Sequence, residues 1–170
     1  MRPSRFMASS RGRLSWPGGS GPCALGRCGV IAPENKREGD GASPLGLWPM
    51  RQVLFRPDRL ARPATRLGAF PLSPDAGWCD DPQSAAYNQA VILPFPARHE
   101  RLWREDGLYD LILVLGFNDA PPVSGRGSAI FLHIARPDLS GTEGCIACAA
   151  PDLLSLLAAA GPGDHLEISL

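Results

Sequence analysis

No apolar run in this 170-residue chain approaches the roughly 20 residues that a membrane-spanning helix needs. The opening stretch, MRPSRFMASSRGRLSWPGG, starts with positive charge but has no apolar core of the kind a secretory signal carries. Cysteine is sparse. The five residues Cys23, Cys28, Cys79, Cys145 and Cys148 are odd in number and irregularly spaced, which excludes a disulfide framework. A second Cys-x-x-Cys and a His-x-x-x-His are both missing, so a zinc cluster would be short of ligands. Lysine is nearly absent, since sixteen of the seventeen basic residues are Arg. No basic tract interleaved with aromatics exists, which argues against nucleic acid as a partner. No internal repeat is visible.

What remains describes one domain with a real core. Gly and Pro are both abundant, at 19 and 18 residues, so elements are short, turns are many, and the fold is mainly β. Net charge is zero but unevenly spread. Residues 1–66 hold twelve basic and four acidic side chains, and the remainder reverses that bias. If the halves interleave in one domain, these charges mix in space. Residues 1–11 are expected to be a flexible N-terminal segment ahead of a domain over 12–170. PCALGRCGVI (22–31) reads as a bent strand that buries Cys23 and Cys28, and 34–46 as a loop. RQVLFRP reads as a short strand ended by Pro57. The segment 59–81 holds only short pieces, with Cys79 loop-exposed. HERLWRED (99–106) reads as one or two helical turns. LYDLILVLGF (108–117) is the strongest strand and is apolar enough to be buried on both faces. SAIFLHIA (128–135) is a second strand. A helix follows from Pro151 in the first turn, with Asp152 complementing its dipole, to the stop at Gly161-Pro162-Gly163. HLEISL closes the chain as a strand.

FLHIARPDLSGTEGCIACAA (131–150) carries the chemistry. His133 stands near a strand end, and Cys145 follows twelve residues later in a turn ahead of the helix. A thiolate nucleophile needs a lowered pKa or an adjacent base. Gly144 lets backbone N–H groups approach a bound carbonyl, and the nearby helix N-terminus would favour a thiolate or an oxyanion. His133 can serve as the base if the loop after it folds back over the strand end. Cys145 and Cys148 can alternatively be a redox Cys-x-x-Cys pair, or His133 and the cysteines can be interior residues. Asn118 directly follows the strongest strand, a place where polar side chains often line a site. The residues alone leave these readings open.

The same stretch resembles the L,D-transpeptidase catalytic domain, the YkuD-type family. Its hallmark is a strand-borne His followed by Ser/Thr-x-Gly-Cys, matched here by His133 and by Thr142-Glu143-Gly144-Cys145. ALGRCGV, REGDGASPLG, LYDLILVLGFND and GRGSAIFLH are similar to the compact, stand-alone branch, so the likeness runs from about residue 12 to the C-terminus. It implies an L,D-transpeptidase-like β-sandwich or open barrel with a few short helices, in a single domain. It implies a cysteine-dependent L,D-transpeptidase acting on peptidoglycan stem peptides that contain diaminopimelate, both as donor and acceptor, without metal or organic cofactor. Cys145 would be the nucleophile and His133 the general base and acid. Gly144 and Cys145 N–H groups would form the oxyanion hole, Thr142 would shape the turn, and Asn118, Glu143 and Ser128 would contact substrate. Carbapenems would acylate the thiol. The alternatives are an L,D-carboxypeptidase or endopeptidase with the same Cys-His site, and a non-catalytic peptidoglycan-binding domain.

The chain departs from the family pattern at three places. Ile134 replaces a Gly after the His, Glu143 replaces a His before Gly-Cys, and Ala147 replaces an Arg two residues after the Cys. The resemblance also implies the periplasm or cell envelope. Without a visible signal, the alternatives are a misassigned start or cytoplasmic residence.

Overall fold

The structure, a computed structural model, describes residues 5–170. In chain order the strands are β1 (Phe6–Ser9), β2 (Arg13–Trp16), β3 (Gly19–Ala24), β4 (Val30–Ile31), β5 (Ser43–Pro44), β6 (Gly46–Phe55), β7 (Ala69–Pro71), β8 (Ala76–Cys79), β9 (Ala90–Ile92), β10 (His99–Arg101), β11 (Leu111–Leu115), β12 (Phe131–Ile134), β13 (Ile146–Cys148) and β14 (His165–Ser169), with helix α1 (Ala150–Ala159) before the last. The long strand β6 closes the architecture. Its first half pairs antiparallel with β14 and its second half antiparallel with β11. The sheet order β11-β12-β13-β3-β2-β1-β14-β6 therefore returns on itself as a barrel-like circuit, with β7 appended to β6. A separate three-stranded sheet, β10-β8-β9, covers part of the outside.

Every residue of β11 is buried because the wall has apolar layers on both sides. Leu111, Leu113 and Leu115 face an interior cluster that takes residues from all eight strands of the circuit. Ile112 and Val114 face an outer cluster with Trp78, Leu102, Tyr109 and Phe131. The helix turns Leu153, Leu156 and Leu157 into the interior, each fully buried. Their i, i+3, i+4 spacing makes one face, and each such burial contributes roughly 1.5–3 kcal/mol. Pro151 and Asp152 occupy the first turn, and Ala160 caps the end ahead of Gly161-Pro162.

Several expectations need correction. The N-terminal segment is not free over its whole length. Phe6 and Ala8 alternate inward, and β1 lies between β14 and β2, leaving only residues 1–4 outside the described part. HERLWRED begins as strand β10 rather than helix, since His99–Arg101 pair with Gly77–Cys79. Cys79, in β8, is fully buried instead of loop-exposed, whereas Cys28 lies in the turn after β3 and is exposed. Among the described residues, the helical content is one α-helix and one short 3-10 turn. The two charge-biased halves do interleave: Arg27–Glu143, Arg51–Asp119 and Arg59–Asp110 ion pairs join them.

Candidate active site

Strands β12 and β13 are parallel neighbours, with Leu132 beside Ile146 and His133 beside Ala147. Side chains alternate across a strand, so Leu132 and Ile146 enter the barrel while Phe131 and His133 face outward. The connection between the strands folds back against the turn after β3. Thr142 N–H donates to Leu25 O at 2.9 Å, and Arg27 N–H to Thr142 O at 2.7 Å. This brings Cys145 onto the outer face beside Phe131, diagonally across from His133. Both side chains line one pocket of about 390 Å³, walled also by Glu38, Glu100, Arg104, Tyr109 and Arg136.

The backbone at the thiol is held from two sides. Ser43 Oγ, fully buried, donates to Gly144 O at 2.7 Å and accepts from Gly26 N–H at 2.9 Å. Thr142 Oγ1 donates to Cys145 O at 2.6 Å and accepts from Gly144 N–H at 3.1 Å. Gly144 has φ +135°, and a Cβ there would stand 3.0 Å from Ala42 O. A side chain at this position would strain the turn and press on the neighbouring backbone. The Cys145 thiol donates to Ala129 O at 3.1 Å and accepts from Phe131 N–H at 3.4 Å.

The electrostatics oppose a resting thiolate. Burial first, and then the nearby Glu100 carboxylate, push the Cys145 thiol up to about 12. Burial pulls His133 down to about 4, aided by Arg104 and Arg136, against the support of its bond to Ile134 O. Both groups are therefore neutral near pH 7. His133 Nδ1 lies 2.8 Å from Ile134 O, and a carbonyl only accepts, so Nδ1 carries the proton. Nε2 is then the unprotonated ring nitrogen. The ring of Tyr109 meets the imidazole edge-on, with centroids 5.1 Å apart. Tyr109 O–H donates to Glu100, and the Arg104 guanidinium lies 4.9 Å over the Tyr109 ring. Burial raises the Glu100 carboxyl above its ordinary value, with Tyr109 and Arg104 opposing the shift.

The other sequence-derived residues divide. Ser128 and Glu143 line the pocket. Ser128 Oγ donates to Glu38 at 2.7 Å, and Glu143 pairs with Arg27 at 2.9 Å. Asn118 does not join them. It has φ +49° and closes its own loop through Val123 O, Gly127 O and Val123 N–H, away from the thiol. The Gly144 N–H is already donated to Thr142, whereas Cys145 N–H has no backbone partner, so the turn offers one free donor rather than two. The helix N-terminus is also not at the sulfur, because β13 intervenes. Cys145 and Cys148 face opposite sides of the sheet, one in the outer cluster and one in the interior, so they do not form a redox pair. Glu38, Glu100, Arg104, Tyr109 and Arg136 were not legible as site residues, since the loops and strands that carry them meet only in the fold. Among the described residues, no group of three His, Cys, Asp or Glu side chains is arranged to hold a metal. Among the described residues, no helix is long and apolar enough to cross a membrane.

Comparison with known proteins agrees with the motif. The family model for the L,D-transpeptidase catalytic domain, YkuD, matches residues 4–168. Among solved structures, the crystal structure of Mycobacterium tuberculosis L,D-transpeptidase 1 is similar at 12% identity and a TM-score of 0.44, covering 98% of this chain and 61% of that one. No curated protein matches the sequence.

Proposed function

This chain belongs to the L,D-transpeptidase catalytic-domain family, and from that premise we propose that it is an L,D-transpeptidase of peptidoglycan stem peptides working through a thioester on Cys145. The observation that carries the reading is a buried thiol and an imidazole that line one pocket, the imidazole with its Nδ1 proton committed to Ile134 O. Because both groups rest neutral, proton transfer to His133 accompanies attack rather than preceding it. Cys145 Sγ bonds to the donor carbonyl carbon as its proton passes to Nε2. The developing oxyanion is received by Cys145 N–H. Collapse expels the terminal D-residue as an amine, which takes the proton from His133. An acceptor amine then attacks the thioester, gives its proton to Nε2, and releases the thiol. Tyr109 holds the imidazole plane, and the Ile134 carbonyl fixes its tautomer.

The family acts in the cell envelope, which is where this reading puts the chain. Its donor is a diaminopimelate-containing stem peptide, and a carbapenem would acylate the same thiol. The test is product analysis with a stem tetrapeptide, with and without an amine acceptor, on the wild type and Cys145→Ala. A crosslinked or exchanged product lost in the variant supports transpeptidation. Release of the terminal residue to water alone, equally Cys145-dependent, replaces it with a carboxypeptidase. Binding without turnover, unchanged in Cys145→Ala, replaces it with a non-catalytic domain.

A further inference from the structure

Cys23 and Cys148 are directly opposed residues of the antiparallel pair β3–β13. Both are free thiols here, and both belong to the barrel interior, 5% and 0% exposed. Their ladder type follows from where their backbones bond. Cys23 N–H donates to Gly12 O on the β2 side, and Cys148 O accepts from Ala135 N–H on the β12 side. In extended chain the N–H and C=O of one residue point the same way, so neither residue bonds across the shared edge. They form a non-hydrogen-bonded pair, the type whose Cα atoms lie about 4.5 Å apart with side chains drawn together. That separation falls inside the Cα window of disulfides, about 4.4–6.8 Å. No other pairing of the five cysteines has these features: Cys145 faces the outer cluster, Cys28 is exposed in a turn, and Cys79 sits in β8 of the outer sheet.

We infer that Cys23 and Cys148 are a disulfide site, a covalent staple between β3 and the strand that the catalytic turn leads into. A low-molecular-weight disulfide is the oxidant. One cysteine, as thiolate, attacks a donor sulfur, forming a mixed disulfide and releasing the first donor thiol. The second cysteine attacks that protein sulfur, forming the Cys23–Cys148 bond and releasing the second donor thiol. The protein loses two hydrogens, and the donor disulfide is reduced to two thiols. Burial raises both protein thiols, Cys23 to about 11 and Cys148 to about 12. Exchange therefore belongs to the folding chain, before the barrel closes over them. The staple leaves Cys145 free on the opposite face.

The test refolds the full chain in oxidised or in reduced glutathione, then counts thiols after denaturation and maps the linked peptides. Oxidative refolding should lower the count by two from the five of the reduced chain, with Cys23 and Cys148 peptides joined. Removing a natural disulfide typically costs several kcal/mol, so the oxidised form should melt on the order of 10 °C higher. The C23A/C148A variant should lose this redox difference in melting. Five thiols persisting in the wild type, a glutathione adduct on Cys28 alone, or a different Cys–Cys linkage would overturn the inference. The wild-type count settles the matter even if the variant fails to fold.

Discussion

Cys145 should alkylate as a buried neutral thiol rather than as a stabilised thiolate. Its ionisation is displaced from the ordinary 9.0 to about 12, first by burial and second by Glu100. At pH 7 this leaves about a thousandfold less thiolate than an ordinary cysteine holds, and the 9% exposure of the residue slows the reagent further. The assay is an iodoacetamide time course from pH 6 to pH 11, read peptide by peptide, with exposed Cys28 as the internal reference. Cys28 should label first at every neutral pH. Cys145 labelling should lag by about three orders of magnitude and rise about tenfold per pH unit without a plateau below pH 10. Glu100→Gln removes the second cause and should bring Cys145 labelling to lower pH. A Cys145 plateau beginning below pH 8 would refute the reasoning, because it would mean a preformed thiolate–imidazolium pair.

Three further outcomes follow from the same contacts. His133 stays unprotonated down to about 4 when folded, while its unfolded value is near 6.5. Below pH 6.5 the unfolded chain therefore binds a proton that the folded chain refuses, and stability falls between pH 6.5 and pH 4 by about 3 kcal/mol. Urea titrations across that range should show this slope in the wild type and a shallower one in His133→Gln. Ser43→Ala leaves Gly144 O and Gly26 N–H without their shared partner. It should cost about 1–3 kcal/mol in chemical denaturation and slow acylation of Cys145 more than a distant variant of equal cost. Leu156→Ala, in the barrel interior, should cost about 2–5 kcal/mol while leaving the Cys145 acylation rate of the folded protein unchanged.

The parts legible in the sequence were those fixed by local pattern. LILVL carries no polar residue for a solvent face, and it became the wall with apolar layers on both sides. The helix was bracketed by Pro151 and Gly161, whose backbone limits act at the site itself. The spacing of His133 and Cys145 already required a returning loop, and the parallel pairing of β12 with β13 supplies it. What stayed hidden depends on partners far along the chain. HERLWRED has the spacing of a helical turn, and only β8, twenty residues earlier, makes it a strand. Glu38 and Tyr109 sit in turns and Glu100 in a strand, and they meet at the pocket only in the fold, so no spacing announced them. The position of Cys145 before a helix suggested a dipole-lowered thiol, but the short strand β13 and the depth of burial reverse the expected direction. Asn118 misled because a polar residue after a strand suits a turn as well as a site.

The role of Cys145 as an acylated nucleophile is tested by intact mass after incubation with a carbapenem, on the wild type and on the Cys145→Ala, Cys148→Ala and His133→Ala variants. A single stoichiometric adduct is expected on the wild type and on Cys148→Ala, none on Cys145→Ala, and formation slowed by at least about a hundredfold in His133→Ala. A folded, fully reduced wild type that gains no adduct, or an adduct that persists in Cys145→Ala, would contradict that role.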